Sequence, residues 1–503
     1  MSRLLFASPD ALRPLRPHQE HALEALRESL AAGHRSPMLQ APTGFGKTLT
    51  AAHIIQRALD RGKRVAFTVP ALSLIDQTVA AFEAEGIDCV GVLQGLHPRT
   101  DREQPVQVCS IQTLARRKRP DVDLVIVDEA HELHKETFRW MADRPDVRFI
   151  GLSATPWSRG LRKYYDDLII SATTKELISQ GYLSSFKVFA PSQPDLAGVS
   201  TVAGDFHEGQ LAEAIDQPKL VGDVVQTWLD RGRDRPTLCY GVNRAHAEHL
   251  QQRFIEAGVA AEYIDCFTDR SDRERIFDRF RAGAIKVICN VATLATGLDL
   301  PMVACLIDAK PTKSEIRFVQ TIGRGLRTAP GKDHLLILDH AGNHLRLGLV
   351  TEIHHERLDA GESRRSPTAN KEREKPLPRL CEDCSAVLQH SARACPECGK
   401  VREVRTEIEH RDGELIELGS RPKKRGAAQT IFEQEEFHGE LRWIASVRGY
   451  APGWAAHKFK ERFGLWPNDW QVRLAQPREP CLKTKNWLRS RQITFANGRA
   501  AHG

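Results

Sequence analysis

Ala41–Pro42–Thr43–Gly44–Phe45–Gly46–Lys47–Thr48 is the stretch whose reading decides the fold. A short apolar run, Pro37–Gln40, precedes it, and Leu49–Ile55 follows with helix-like spacing. Strand, glycine-containing loop, Lys-Thr and helix is an arrangement that cradles phosphates. Backbone N–H groups of the loop and the helix start face the anion, and the helix dipole favours negative charge there. On this reading Thr43, Gly44 and Gly46 shape the cradle, Lys47 reaches the terminal phosphates, and Thr48 holds Mg²⁺. The first position of the common pattern, usually Gly, is Ala41. Taken alone, the motif also fits a plain glycine turn.

Working outward, short β-branched runs alternate with helical ones. Val65–Val69, Val106–Cys109, Leu124–Val127 and Phe149–Leu152 read as strands buried on both faces of a parallel sheet. A second series begins near residue 219, with strands at Thr237–Tyr240, Ala261–Ile264, Val287–Cys289, Ala304–Ile307 and Leu335–Leu338. Two consecutive series of this kind predict two doubly wound α/β domains. The expected division is 12–184 and 219–350, with 185–218 as a linker holding some local structure. Arg, Glu, Lys and Pro dominate from about 351, so 351–378 reads as a flexible linker. A cysteine cluster at 379–402 and a basic, Trp-rich helical tail at 430–490 complete the plan.

Asp128–Glu129–Ala130–His131 directly follows the strand Leu124–Val127. Carboxylates at the C-terminal edge of a parallel strand sit beside the phosphate loop. Asp128 would hold Mg²⁺ through water, and Glu129 would position and deprotonate an attacking water. The bland alternative is a strand that merely ends in charged residues. Ser153–Ala154–Thr155–Pro156 follows the next strand, where short hydroxyls can link the carboxylates to the second domain. Farther on, Gln320–Thr321–Ile322–Gly323–Arg324–Gly325–Leu326–Arg327 places two arginines three apart on one helical face. An arginine presented across a domain cleft stabilises charge on a γ-phosphate in the transition state. Surface arginines are the alternative.

These stretches, in this order, resemble the superfamily 2 helicases and translocases. Arg16–Pro17–His18–Gln19 resembles the adenine-recognising segment, with Gln19 its key residue. Thr43 to Thr48 resembles motif I, Asp128 to His131 motif II of the DEAH type, and Ser153 to Pro156 motif III. Asn290 to Thr293, with Thr296–Gly297–Leu298–Asp299, resembles motif V, and Gln320 to Arg327 resembles motif VI. The match covers residues 12–345. The segment Gly323 to Lys332, with Asp339–His340–Ala341–Gly342–Asn343, looks closest to bacterial RadD-like DNA-repair ATPases, with type III restriction translocase subunits as near relatives.

The resemblance implies two RecA-like domains that hydrolyse ATP between them. Gly297 and Asp299 would contribute to nucleotide binding. A single nucleic-acid strand would cross both domains. Its phosphates would meet Pro70–Ala71, Ser110 to Thr113, Asn243–Arg244 and Val291 to Thr293, with Thr113, Arg244 and Thr293 as candidate contacts. Phosphate contacts are independent of sequence, as a motor requires. Single-stranded or forked DNA is the expected partner. RNA, or an ATP-gated scaffold that remodels without separating strands, are the alternatives.

Bulk properties agree. The 503 residues suggest about three domains. With 41% hydrophobic and 27% charged residues the chain is ordinary globular material, and a net charge of +7 does not by itself name a partner. No apolar run approaches the ~18–20 residues of a membrane span, and Met1–Asp10 lacks the pattern of a signal peptide. Seven of the eleven cysteines are scattered singly, a reduced, cytoplasmic pattern. The other four form two C-x-x-C pairs, Cys381/Cys384 and Cys395/Cys398, with ten residues between. That spacing fits one structural Zn²⁺ held by four thiolates, and a redox dithiol is the competing reading. From residue 441 onward twelve basic residues face three acidic ones, and five of the eight tryptophans lie there. Basic patches with interleaved aromatics suit nucleic acid, although tryptophans also build small helical cores.

Overall fold

A computed structural model describes residues 12–95, 97–232, 234–291, 300–361, 376–402, 431–451, 453–489 and 491. Thr293, Gly297 and Asp299, together with the basic run Arg421–Arg425, lie outside the described residues.

The first sheet is built from β1 (Pro37–Gln40), β2 (Val65–Val69), β3 (Val90–Leu93), β4 (Val106–Ser110), β5 (Leu124–Asp128), β6 (Arg148–Ser153) and β7 (Asp167–Ile170). Its order is β3-β4-β2-β5-β6-β1-β7, with every pair parallel. Every residue of β2 is buried, as expected for a strand with helices on both faces. The C-terminal ends of β1 and β5 therefore emerge on one edge, separated only by β6.

The second domain begins earlier than its sequence suggests. Strand β8 (Phe186–Phe189) falls within 185–218 and pairs in parallel with β15 (Leu335–Asp339). A two-stranded hairpin, β9 (Thr201–Val202) with β10 (Asp205–Phe206), follows, then a helix, Glu208–Ile215. The sheet adds β11 (Thr237–Tyr240), β12 (Ala261–Ile264), β13 (Val287–Asn290) and β14 (Cys305–Asp308), in the order β12-β13-β11-β14-β15-β8. So the stretch expected to be a linker contributes an edge strand.

The cysteine-rich segment is built onto that edge. It carries a short hairpin, β16 (Arg379–Leu380) with β17 (Val387–Leu388). Ala386 bridges to Phe189 in antiparallel fashion, and Ala190 N–H donates to the Ser385 carbonyl at 3.0 Å. Lys187 pairs with Glu397 at 2.8 Å. Cys381, Cys395, Ala386 and Leu388 share an apolar cluster with Phe189, Leu336 and Leu338 of the sheet. The described start of the linker that precedes this segment is docked as well. Leu358 is buried among Trp140 and Tyr165 of the first domain, and Asp359 accepts from Gly160 N–H at 2.9 Å.

Residues 405–503 form a second compact unit. Its described helices are Ile431–Arg448, Trp454–Phe463, Trp470–Arg473 and 482–489. Phe437, Leu441, Phe459 and Val472 make its core, with Trp454 and Trp487 packed on it. Trp466 and Trp470 are instead 39% and 67% exposed. The tryptophans thus divide between core and surface.

Candidate active site

The helix Lys47–Leu59 starts at Gly46. Gly44 and Gly46 have φ of +84° and +93°, in the left-handed region that only glycine enters freely. They turn the chain so that the helix N-terminus faces the cleft. Gln19, expected to recognise adenine, braces this loop: its amide donates to the Phe45 carbonyl at 3.0 Å and the Gly46 carbonyl at 3.3 Å. Its oxygen accepts from Arg16 N–H at 2.9 Å. A residue that sequence reasoning missed, Tyr182, lines the cleft beside the loop. The Arg16 guanidinium stands 4.8 Å from the centroid of its ring. Tyr182 follows the last helix of the first domain, with no motif to mark it.

Strand β5 delivers the carboxylates. Glu129 adopts φ of +47°, which for a side chain of this size costs roughly 1–3 kcal/mol and clusters at functional sites. That turn points Glu129 Oε1 at Lys47 Nζ, 2.5 Å away, while Asp128 Oδ1 is 3.8 Å from the same ammonium. Burial acts to lower the Lys47 pKa, but the two carboxylates outweigh it and hold it raised. Burial likewise acts to raise Glu129, and Lys47 overcomes it, so Glu129 is held ionised below the usual range. Burial prevails at Asp128, whose pKa is raised. Glu129 Oε2 is buried, makes no hydrogen bond, and lies 3.4 Å from His131 Nδ1.

The second domain reaches this site through the helix Glu315–Gly325. Gln320 Nε2 lies 3.0 Å from His131 Nε2 and 3.3 Å from Thr155 Oγ1. An amide nitrogen only donates, so His131 Nε2 accepts and its proton sits on Nδ1. Nδ1 is 2.9 Å from Ser153 Oγ, which also accepts from Thr155 N–H at 3.0 Å. Burial lowers the His131 pKa and keeps the ring neutral. His131, Ser153, Thr155 and Gln320 thus form one relay between the carboxylates and the second domain.

Gly323 makes the closest approach. A Cβ there would lie 2.6 Å from Thr43 Oγ1 of the phosphate loop. Arg324 and Arg327 line the same cleft of about 460 Å³ as Thr43, Lys47, Thr48, Asp128 and Glu129. The Arg327 backbone is fixed in place, because its carbonyl accepts from Ser184 Oγ at 3.1 Å and Lys332 Nζ at 2.7 Å.

The same edge of the second sheet is occupied differently. Asp339, fully buried, accepts from the N–H groups of Ala341, Asn343 and His344 and from His344 Nδ1 at 2.9 Å. Burial acts to raise the Asp339 pKa, but the His344 contacts win and lower it. Burial, with Asp339 close by, pushes Asp308 up to about 7.

Two candidate nucleic-acid contacts fall at strand ends. Thr113 lies in a short helix capped by Ser110, the last residue of β4, whose Oγ accepts from Thr113 N–H at 3.1 Å. Arg244 opens the helix that follows β11 and pairs with Asp265 at 2.7 Å.

The four cysteine sulfurs converge within 4.8 Å of one another. Cys381 and Cys398 are 3.5 Å apart and Cys384 and Cys395 3.6 Å. A tetrahedral ion with ~2.3 Å metal–sulfur bonds needs edges of about 3.8 Å, so the set fits one such ion closely. A redox dithiol needs two sulfurs, not four in one cluster.

Residues 13–158 match the family model described as type III restriction enzyme, res subunit, and residues 219–329 match the helicase conserved C-terminal domain. The chain belongs to the superfamily 2 helicases. The two domains of an ATP-hydrolysing helicase are those expected from the motifs. A 51.5 kDa protein of a Lactococcus phage is 28% identical to this helicase over 82% of its chain and 88% of the phage protein. A Saccharomyces cerevisiae protein carrying the name ATP-dependent helicase IRC3 is 28% identical over 65% of this helicase. The type I restriction enzyme EcoKI endonuclease subunit of Escherichia coli is 23% identical over 63%. This helicase spans about half (51%) and a third (33%) of those two relatives' lengths. A solved HsdR-type fragment of a type I restriction enzyme from Vibrio vulnificus shares the fold, with 18% identity and a TM-score of 0.53 over 69% of this helicase and 67% of that chain.

Proposed function

We propose that this helicase is an ATP-driven motor on DNA, closest in kind to RadD-like repair ATPases. The observation that carries the reading is the contact of Gln320 with His131 and Thr155, which joins the second domain to the hydrolytic carboxylates. A change in the cleft therefore moves one domain against the other. Lys47, Thr48 and the loop N–H groups would bind the phosphates of ATP, and Thr48 and Asp128 would hold a Mg²⁺ whose charge offsets that of the phosphates. Glu129 takes a proton from the attacking water, held ionised by Lys47 until the phosphates claim that ammonium. Arg324 and Arg327 face the charge that develops on the γ-phosphate. Gly297 and Asp299 belong to the same nucleotide set, and Thr113, Arg244 and Thr293 to the strand-contacting one.

The type III and type I restriction-enzyme relatives support DNA over RNA. The four thiolates would hold a structural zinc, and the other seven cysteines, none in a disulfide, suit a reducing compartment such as the cytoplasm. Within the tail, Trp466 and Trp470 are the tryptophans available to nucleic acid, and Lys460 lies 4.4 Å over the Trp466 ring. ATP turnover measured against single-stranded DNA, forked DNA and RNA tests the reading, alongside strand displacement on the fork. Turnover that no DNA stimulates overturns it. Stimulation by RNA alone moves the chain to the RNA helicases, and stimulation without displacement leaves a translocase or scaffold.

A further inference from the structure

Phe267 is 72% exposed, yet the loop that carries it is tightly built. Strand β12 ends at Ile264, and the next residue, Asp265, is buried. Its Oδ1 accepts from the N–H groups of Phe267 at 2.9 Å and Thr268 at 3.0 Å, and from the Thr268 hydroxyl at 3.1 Å. Its Oδ2 accepts from the Tyr263 hydroxyl at 3.1 Å and pairs with Arg244 Nε at 2.7 Å. Arg273 donates to its carbonyl at 2.9 Å. Burial alone would raise the Asp265 pKa, but these donors lower it, so the hub is ionised at neutral pH. Burying a carboxylate is costly unless every lone pair is used. Here that cost secures a five-residue turn that presents the phenyl ring outward, with Cys266 and Asp269 exposed beside it.

A single exposed apolar residue is ordinary. The surroundings of this one are not. The Arg244 guanidinium lies 4.9 Å from the ring centroid, and its side chain is itself 58% exposed. Three residues beyond the ring, Arg270 crosses to the first domain and meets Asp76 at 3.4 Å, where His97 also binds at 2.9 Å. Asp76 lies in the helix that follows β2 and its candidate contact Pro70–Ala71. The ring therefore stands between an exposed guanidinium and the junction of the two domains. Phe267 is not among the residues that line the nucleotide cleft.

We propose that Phe267 is a stacking platform for one base of a single strand, with Arg244 on the adjoining phosphate. This deepens the nucleic-acid reading above and rests on it. Every base has a π-face, so stacking holds a strand without reading its sequence. A platform fixed beforehand by Asp265 loses little freedom on binding. The flanking guanidiniums supply the matching charge.

The experiment uses the full-length protein and single-stranded DNA carrying 2-aminopurine at successive positions, whose fluorescence falls when the base stacks. Wild type should quench one position strongly. F267A should lose that quenching and bind unmodified strand about 5- to 100-fold more weakly. Its salt dependence should keep the same slope, because no phosphate contact is removed. F267W should restore both quenching and affinity. R244A should instead make the log–log salt slope shallower by about 0.7. Wild type that fails to bind any strand overturns the motor reading and this inference together. Wild type that binds, with F267A equal to it in quenching and affinity, overturns the inference alone. A raised KM for ATP in F267A with unchanged strand binding would assign the ring to the nucleotide, and equal loss in F267A and F267W would assign it to loop structure.

Discussion

Two parallel sheets in one chain end in carboxylates, and they use them in opposite ways. At the edge of the first, Asp128 and Glu129 face one ammonium across an open cleft, and one Glu129 oxygen has no hydrogen-bond partner. At the edge of the second, Asp339 is saturated by three N–H groups and a histidine, and Asp308 accepts from Asn343 Nδ2 at 2.8 Å. The first arrangement holds charge ready for a ligand. The second consumes charge to fix the loop after β15 and the start of the helix Asn343–Leu347. In one fold, the number of donors around a carboxylate separates the edge proposed to be catalytic from one that only holds a loop.

That contrast breaks most visibly at the first edge. Glu129→Gln should keep nucleotide binding and lower ATP turnover about 10²–10⁴-fold, read by steady-state hydrolysis beside a binding titration. Arg324→Ala or Arg327→Ala should cost about 10³-fold or more. Near-normal turnover in Glu129→Gln would make the first edge as architectural as the second.

At the second edge the expected loss is in stability. His344→Ala leaves Asp339 buried beside an emptied site, and removing one partner of a buried pair costs about 3–5 kcal/mol. Thermal unfolding should show a lowered transition while the folded fraction retains its turnover per molecule. A normal melting curve with lost turnover would invert the comparison.

The metal extends the same test to the sheet's outer strand. Protein purified without chelator should carry one zinc per chain by metal analysis. Cys381→Ser should lower the melting transition of the second domain and not merely loosen residues 379–402, because Cys381 and Cys395 share a core with Phe189 and Leu338. Unchanged melting would return the ribbon to the status of an appendage.

The last effect is one of pH. Asp308 has a folded pKa of about 7, above its ordinary 3.8. The folded state holds a proton there that the unfolded chain releases. Its contribution to stability is complete below about pH 4 and is lost as pH rises through 7. Urea midpoints between pH 4.5 and 8 should decline for wild type and decline less for Asp308→Asn. Parallel slopes would show that Asp308 does not carry the dependence.

The two helicase domains were legible because their signals are contiguous strings. A phosphate loop, a carboxylate pair at a strand end and a Gln-to-Arg helix turn each announce themselves within about ten residues, and the paired C-x-x-C motifs span only 381–398. What stayed hidden depends on contacts between distant residues. Strand β8 is four residues long and is followed by Pro and Gly punctuation, so 185–218 read as a connector. Tyr182 and Phe267 have no motif around them. Gly323 looked like part of a motif, and only its packing on Thr43 shows why a side chain is excluded. Asp339–His340 after an apolar strand looks much like Asp128–Glu129 after another. The donors that distinguish them arrive from residues whose positions only the fold supplies. The tail's tryptophans were equally ambiguous as letters, and burial separated Trp454 from Trp470.

Strand β8 and the ribbon that covers it bear on how this domain can be moved between proteins. The stretch recognisable as the helicase C-terminal domain, 219–329, holds neither β8 nor β15. Grafted alone, it would expose the backbone of β14 along an open rim, a template for pairing with other chains. The transplantable module is instead 186–402, whose first strand and last hairpin clasp each other across the length of the insert. Removing either end would unseal the sheet.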